Sequence, residues 1–259
     1  MNRQASGLSQ RQAGWLRCRL LVGFLLVACQ STLAGPPFRT DDPIPIGYRH
    51  AEFYLFSAGI TDAGGLSGIG PAVEVNYGAL PNTHLHLVLP LAFASPSGGP
   101  AQLGYGDTEL GVKCRFVNQT ESMPDVATFP IVEVPTGNAS RGLGSGNVQI
   151  YLPLWLQKDF GQWTVYGGGG YWINHGEDNR NWTFSGILIQ YNFAEDFYLG
   201  SELFHQTPSS ADASANTGVH IGGGIPLAQG YQVIFSGDAG NGITSYKHFA
   251  WYLGLYHQL

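Results

Sequence analysis

The chain has 259 residues, of which 12% are charged and 37 are Gly, and its mean hydropathy is near zero. This composition argues against a disordered acidic chain and against a helical membrane protein. The 18 acidic residues outnumber the 12 basic ones. We therefore expect no nucleic-acid partner, because nucleic acid is a polyanion.

Residues 1–34 have the features of a cleaved signal peptide. Four arginines precede an apolar run at residues 20–28, and the small residue Ala34 suits a signal peptidase. The run is about half the ~20 residues that a membrane-spanning helix needs. A lipoprotein signal is the alternative, because Cys29 follows a small residue at the end of the run. Cleavage after Ala34 leaves eight basic and 18 acidic residues, a net charge of −10, and Cys114 as the remaining cysteine.

Residues 35–47 form a Pro-rich segment, here called the lead-in, which precedes a barrel predicted over residues 48–259. Pro43 and Pro45 have no N–H group to donate, so the lead-in cannot continue a sheet. We expect this segment to lie in the periplasm, outside the strands.

Beyond the lead-in, apolar and polar side chains alternate with the two-residue period of extended strands. Between residues 83 and 94, for example, Leu85 and Leu87 share one face, whereas His84 and His86 share the other. Short and long connections alternate between the strands. The twelve predicted strands lie near residues 49–59, 70–79, 83–94, 105–117, 126–136, 146–158, 162–174, 181–193, 197–207, 216–226, 231–239 and 246–258.

An even number of strands joined alternately by tight turns and longer loops is typical of an outer-membrane barrel with periplasmic termini. Hydrocarbon offers the backbone no hydrogen bonds, so a sheet can cross a membrane only when it closes on itself. The sequence therefore predicts an all-β fold, a single antiparallel transmembrane β-barrel of about 12 strands in a bacterial outer membrane. Its expected partners are the lipid bilayer, a small-molecule permeant and the barrel assembly machinery.

The two faces of the predicted strands differ in chemistry. Leucines and valines such as Val73 and Leu154 share the parity expected to meet lipid, whereas charged residues such as Glu74 and Lys113 have the opposite parity. Aromatic residues near the short turns predict an interfacial girdle. These are Phe160, Trp163, Tyr191, Phe193, Phe197, Tyr198 and Tyr231.

Several motifs resemble a known family. Residues 35–43 (GPPFRTDDP), followed by a first strand bearing Tyr48, His50 and Glu52, are similar to the start of mature chains in the "MetA-pathway of phenol degradation" family of outer-membrane transporters. Residues 134–137 (VPTG), 201–204 (SELF), 234–237 (IFSG) and 252–255 (YLGL) are similar to its later motifs. The chain departs from such barrels by ending in Leu259 rather than an aromatic residue. The resemblance implies transport of small hydrophobic or aromatic compounds.

A barrel of twelve strands lies between those of about eight, which side chains fill, and those of about 16–18, which enclose an open channel. We therefore predict a narrow polar lumen through which small compounds pass. Inward charges would orient a polar end of the permeant or favour cations. In the alternative hypothesis, Lys113 and Arg115 neutralise neighbouring carboxylates and stiffen a filled lumen. The candidate pathway residues are Glu52, Glu74, Glu109, Lys113, Arg115, Glu133 and Glu202.

The lead-in is also a candidate plug. We predict that it folds into the periplasmic mouth and narrows it, with Arg39, Asp41 and Asp42 as plug residues. The two carboxylates would cap backbone amides or meet a lumenal arginine. A disordered tail that runs into the first strand is the alternative.

The sequence predicts a protein that is not an enzyme and needs no cofactor or metal. His84 and His86 share a face but have no evident third ligand, and residues 142–146 (GLGSG) precede a strand, unlike a phosphate-binding loop. Three alternatives stay open: a soluble secreted β-sandwich binding protein, a barrel that anchors partner-binding loops, and a lipid hydrolase of the phospholipase or lipid A deacylase type. The last would draw on His175, Ser185, His205 and Ser209.

Overall fold

The computed structural model describes residues 36–176, 178–228, 230–241 and 247–259. The predicted signal peptide and the alternative lipoprotein cysteine, Cys29, lie outside the described residues. In the described part of the chain, no helix combines the length and the apolarity needed to cross a membrane.

The described chain contains fourteen β segments and one short 3-10 helix, Ala139–Arg141. The predicted strands agree with these segments to within a few residues, except that the second begins at Gly65 rather than near residue 70. The segments are β1 (Ala51–Asp62), β2 (Gly65–Leu80), β3 (Thr83–Pro96), β4 (Gln102–Tyr105), β5 (Thr108–Val117), β6 (Asp125–Thr128), β7 (Ile131–Val134), β8 (Gln149–Phe160), β9 (Trp163–Asn174), β10 (Trp182–Ala194), β11 (Phe197–Gln206), β12 (Asn216–Ala228), β13 (Tyr231–Asn241) and β14 (Lys247–Gln258).

Two of the barrel strands are interrupted. Segments β4 and β5 both pair with β3, so they are two parts of one strand. Segments β6 and β7 both pair with β5 and with β8, and they form the next strand. Pro130 lies in the gap between β6 and β7, where it has no N–H group to donate to a ladder. The fourteen segments therefore make the twelve antiparallel strands that the sequence predicts.

The sheet closes through the pairing of β1 with β14. Leu55 lies opposite Leu255 in this register. Beyond it, Ala51 and Leu259 exchange backbone hydrogen bonds of 3.2 and 2.8 Å. Every barrel strand in the described sheet thus has a neighbour on both sides, which is the condition for crossing hydrocarbon. The closed barrel rules out the soluble β-sandwich.

The connections distinguish the two ends of the barrel. The turn end carries tight turns such as 81–82 and 161–162, together with the start of β1 and the end of β14. The loop end carries longer connections, among them 135–148 and 207–215, and one two-residue turn at 63–64. The connection 118–124 is the long exception at the turn end.

The exterior is an apolar belt, which confirms the predicted parity of the strands. Val73 and Leu154 are 42% and 46% exposed, whereas Glu74 and Lys113 are buried inside. A closed sheet with an apolar exterior and charged interior positions is an outer-membrane barrel, and this places the protein in a bacterial outer membrane.

Aromatic side chains cluster at the turn end. Trp163 packs against Tyr191 with ring centroids 4.9 Å apart, and Phe193 stacks on Phe197 at 4.7 Å. Such rings favour the lipid headgroup zone. The prediction for Tyr198 is wrong: its parity is inward, and it is buried in the lumen.

The apolar belt predicts that the free-energy cost of a lipid-facing charge depends on its depth in the membrane. Leu154→Arg, at the middle of β8, is expected to destabilise the barrel by about 2–4 kcal/mol, whereas Ile150→Arg, near the loop end of the same strand, is expected to cost about 0–1 kcal/mol. Reversible denaturant unfolding in lipid vesicles measures both values. Equal costs at the two positions would contradict the proposed membrane span.

Candidate functional site

The described part of the lead-in lies inside the barrel. Pro37, Thr40 and Ile46 are buried. The Ser236 hydroxyl of β13 donates a 2.5 Å hydrogen bond to the carbonyl oxygen of Pro37, and the Ile46 N–H donates to His84 Nδ1 of β3 at 3.1 Å. The segment therefore contacts the barrel wall near both of its ends.

Glu202 of β11 binds the lead-in at its centre. Its carboxylate is fully buried and accepts hydrogen bonds from the Arg39 N–H at 3.1 Å, the Thr40 N–H at 2.6 Å and the Thr40 hydroxyl at 2.6 Å. His220 Nδ1 lies 3.1 Å from the same carboxylate, and His220 Nε2 lies 3.2 Å from Asp238. A buried carboxylate with this many donors is stable in its ionised form.

Lys113 of β5 supplies a second attachment. Its ammonium lies 2.9 Å from Asp41 and 3.6 Å from Asp42, and 4.9 Å from the ring centroid of Phe129. The Asp42 carboxylate also accepts the Ile44 N–H at 2.6 Å. Burial raises the pKa of the Asp42 carboxyl well above its usual range, and the Lys113 ammonium opposes this effect. The two aspartates thus cap amides as expected, but the cation they meet is a lysine rather than an arginine.

Glycines on the inner wall make room for the lead-in. A Cβ at Gly186 of β10 would collide with the Thr40 hydroxyl, and one at Gly78 of β2 would collide with the carbonyl group of Gly47. A Cβ at Gly200 would lie 3.2 Å from the Phe38 ring. The lead-in therefore packs so closely against the backbone of the barrel wall that Gly78 and Gly186 leave no room for a side chain.

A second polar network lies on β1 to β5. Asn76 donates to Glu52 at 2.9 Å and to Glu74 at 2.8 Å. His86 forms hydrogen bonds with Asn76 at 2.6 Å and with Glu109 at 2.8 Å. The structure thus brings three of the predicted glutamates together through one amide and one imidazole.

The two other predicted pathway residues are Glu133 and Arg115. Glu133 of β7 is half-buried and lies directly opposite Glu109 in the strand register. Arg115 lies toward the turn end, 3.2 Å from Asp125, and donates to Asn82 at 2.9 Å. Arg115 therefore neutralises a carboxylate, as the filled-lumen hypothesis supposed.

The interior is more aromatic than a polar lumen would be. One cluster packs Trp155, Phe184 and Phe204 together, and another packs Phe38 of the lead-in against Tyr166 and Tyr198. A third cluster surrounds Tyr54, Phe56 and Tyr256. The predicted polar lumen is thus only part of the interior, because its polar networks alternate with patches of aromatic rings.

A cavity of about 470 Å³ lies between the lead-in and the loop end. Arg39 forms part of its wall, and its guanidinium lies 4.5 Å from the ring centroid of Phe204 and donates to Gln206 at 2.5 Å. Asn216 and His220 also line the cavity. Arg39 is thus the lead-in residue whose side chain lines this cavity.

Sequence reasoning missed several site residues, namely Thr40, His86, His220, Ser236 and Asp238. One signal could have found His220 and Asp238. Both are polar residues of inward parity on strands that follow Glu202, and His220 lies directly opposite Glu202 in the register. Turn lengths fix the register of the strands in hairpins. The placement of His220 and Asp238 beside Glu202 could therefore in principle have been predicted.

The residues of the hydrolase alternative are only partly brought together. Ser185 and His205 lie directly opposite each other on the exterior of β10 and β11. His205 Nδ1 lies 2.7 Å from the Thr217 hydroxyl of β12. His175 and Ser209 lie in loop-end connections, and the Ser209 carbonyl oxygen accepts the Arg180 N–H.

Comparison with known proteins supports the barrel fold. No family model matches the chain, and no curated protein matches it. The chain is similar to the COG4313 outer membrane channel from Pseudomonas putida F1, with a TM-score of 0.65 and 17% identity over 83% of this chain and 97% of that one. It is also similar to the translocator domain of autotransporter NalP from Neisseria meningitidis, with a TM-score of 0.50 and 10% identity over 80% and 87% of the two chains. At these identities the likeness establishes the fold alone.

The fit at Gly186 can be tested directly. Gly186→Ala is expected to displace the lead-in, because the added methyl group overlaps the Thr40 hydroxyl. Limited proteolysis of the lipid-reconstituted protein should then cut the lead-in faster. Gly186→Ala combined with Thr40→Ala removes the hydroxyl and should restore part of the protection.

Gly237→Ala is the matched control, since a Cβ there has no neighbour closer than 3.4 Å. It should leave the proteolysis rate unchanged. Identical cleavage of the Gly186→Ala variant and the parent protein would show that the lead-in is not seated against β10.

Proposed function

We propose that the protein is an outer-membrane channel for small hydrophobic or aromatic compounds, and that the lead-in closes its resting lumen. One observation carries this proposal. The lead-in fills the lumen without adding a strand to the sheet, and side-chain contacts to Glu202, Lys113 and Ser236 hold it. It can therefore leave while every ladder of the barrel stays intact.

The chemistry of the interior supports the class of permeant. Aromatic rings such as Trp155 and Phe204 offer flat apolar surfaces to an aromatic body. The network of Glu52, Glu74 and Glu109 offers acceptors to a hydroxyl group. A small compound with an apolar ring and one polar end matches both.

Membership of the phenol-degradation family is part of the same proposal. The motif that carries that resemblance, residues 35–43, supplies the contacts that hold the lead-in in the lumen. Arg39 and Thr40 bind Glu202, and Asp41 and Asp42 pair with Lys113. These contacts give the motif a physical reason. We also propose insertion by the barrel assembly machinery.

The charged residues divide into two roles in this proposal. Glu202 and Lys113 hold the plug formed by Arg39, Asp41 and Asp42. Glu52, Glu74, Glu109 and Glu133 line the passage that opens when the plug leaves. Arg115 stiffens the turn end through its pair with Asp125.

Lipid hydrolysis is the competing function, and the row of Ser185, His205 and Thr217 on the barrel exterior favours it. A serine, a histidine and a group that orients the histidine are the parts of a hydrolytic triad. Among the described residues, however, His205 bonds to Thr217 and not to Ser185. We therefore propose that the row is structural and that the protein is not an enzyme.

The channel proposal predicts the effect of removing the plug. Deletion of residues 36–45 is expected to raise single-channel conductance in planar bilayers severalfold, because the chain leaves the lumen. A variant that replaces residues 36–45 with a Gly/Ser segment of equal length should also conduct more, since it lacks the contacts to Glu202 and Lys113. Conductance equal to that of the parent protein in both variants would contradict the proposed plug.

The hydrolase alternative predicts phospholipid turnover, whereas the channel proposal predicts none. Refolded protein should show no phospholipid hydrolysis above the background of the Ser185→Ala variant. Turnover that disappears in Ser185→Ala, while Ser201→Ala on the exterior of β11 retains it, would establish the enzyme and overturn our assignment.

A further inference from the structure

We propose that the cavity between the lead-in and the loop end binds small organic monocarboxylates with an apolar body, and that Arg39 binds the carboxylate. The inference rests on the proposed channel function, because it names a class of ligand for the loop-end side of that lumen. It depends on three features of the cavity: an arginine whose guanidinium has no described carboxylate within 4.0 Å, a partly apolar wall, and an unpaired polar atom.

Arg39 has donors available for an anion. A guanidinium carries five N–H donors, and one amino group of Arg39 donates to Gln206. Within the described ranges, no carboxylate oxygen lies within 4.0 Å of the guanidinium, whereas Glu202 binds the backbone N–H of the same residue. One side of the group lies over the rings of Phe184 and Phe204, at 5.0 and 4.5 Å from their centroids. The planar fork of an arginine matches a carboxylate bidentately.

Part of the cavity wall is apolar. Ile60, Phe204, Ala213, Ala215 and Ala250 contribute to it. A volume of about 470 Å³ suits a compound with a single ring, since small-molecule pockets typically measure about 300–1,000 Å³. A ligand held by Arg39 at one end would bury its body against these side chains.

The remaining polar groups restrict the ligand further. Asp212 and Asp238 also line the cavity and repel negative charge, so the single Arg39 offsets this repulsion for one carboxylate and not for a second. Asp238 lies 3.2 Å from His220 and accepts the Ala250 N–H, so it is already engaged. Asn216 Oδ1 is buried and accepts no hydrogen bond from a described residue. A hydroxyl group on the ligand would satisfy it, which favours hydroxylated monocarboxylates.

Benzoate is the probe, titrated calorimetrically into the whole protein in detergent at neutral pH. Benzyl alcohol and benzylammonium carry the same ring without the negative charge, and acetate carries the charge without the ring. Benzoate is expected to bind more tightly than all three. Arg39→Gln should weaken benzoate about ten- to hundredfold, as expected for the loss of hydrogen bonds to a charged group.

The control variants keep the test independent of folding. Arg39→Gln retains the backbone N–H that binds Glu202, and Arg39→Lys should keep part of the affinity. Arg141→Gln changes a loop arginine that contacts Gln102 instead of the cavity, and it should leave the affinity unchanged. Ala215→Trp fills the cavity from the loop side and should abolish binding while every lead-in residue keeps its identity.

Benzoate binding that equals that of benzyl alcohol, or that survives both Arg39→Gln and Ala215→Trp, would overturn the carboxylate site. The two proposals fail separately. If benzoate does not bind but deletion of residues 36–45 raises conductance, the site is wrong and the channel stands. If benzoate binds through Arg39 but the deletion leaves conductance unchanged, the plug is wrong and the site stands.

Discussion

A backbone that crosses hydrocarbon has to form all of its hydrogen bonds within the protein, and the pairing of β1 with β14 makes this possible here. Without that seam, both strands would present unpaired N–H and C=O groups to lipid. Closure also places one face of each alternating strand on the exterior of the barrel and the other face in its interior. Leu55 faces outward, for instance, whereas its neighbour Tyr54 is buried. The apolar belt, the lumen and the seat of the lead-in all depend on this closure.

Closure creates an interior in which buried charges need partners. Lys113 and Glu202 find theirs in the lead-in, through two aspartates and through the amides of Arg39 and Thr40. Departure of the lead-in would leave both charges in need of water, and a wet open lumen would supply it. In the proposed channel, the closed and open states would thus be two ways of satisfying the same side chains.

The alternation of side chains was enough to predict the barrel, its strand number and its apolar exterior, because a two-residue period states which side chains share a face. The start of β2 was missed because Gly70 and Pro71 resemble a boundary, whereas they lie within the strand at a break in its register with β3. The contacts inside the lumen were harder to predict. That Lys113 meets Asp41 and Asp42, and that Thr40 sits against Gly186, depends on the path of a segment with no periodicity. Sequence spacing carries no information on such a path.

Amide hydrogen exchange of Thr40 in lipid nanodiscs tests most directly whether the lumen holds the lead-in. The Thr40 N–H donates to a buried carboxylate in the barrel interior, so its exchange should be far slower than in a free peptide of the same sequence. Protection should also extend to Ile44 and Ile46, whose amides bond to Asp42 and His84. Exchange of Thr40 at the rate of the free peptide, in a barrel whose strand amides remain protected, would contradict this account of the resting protein.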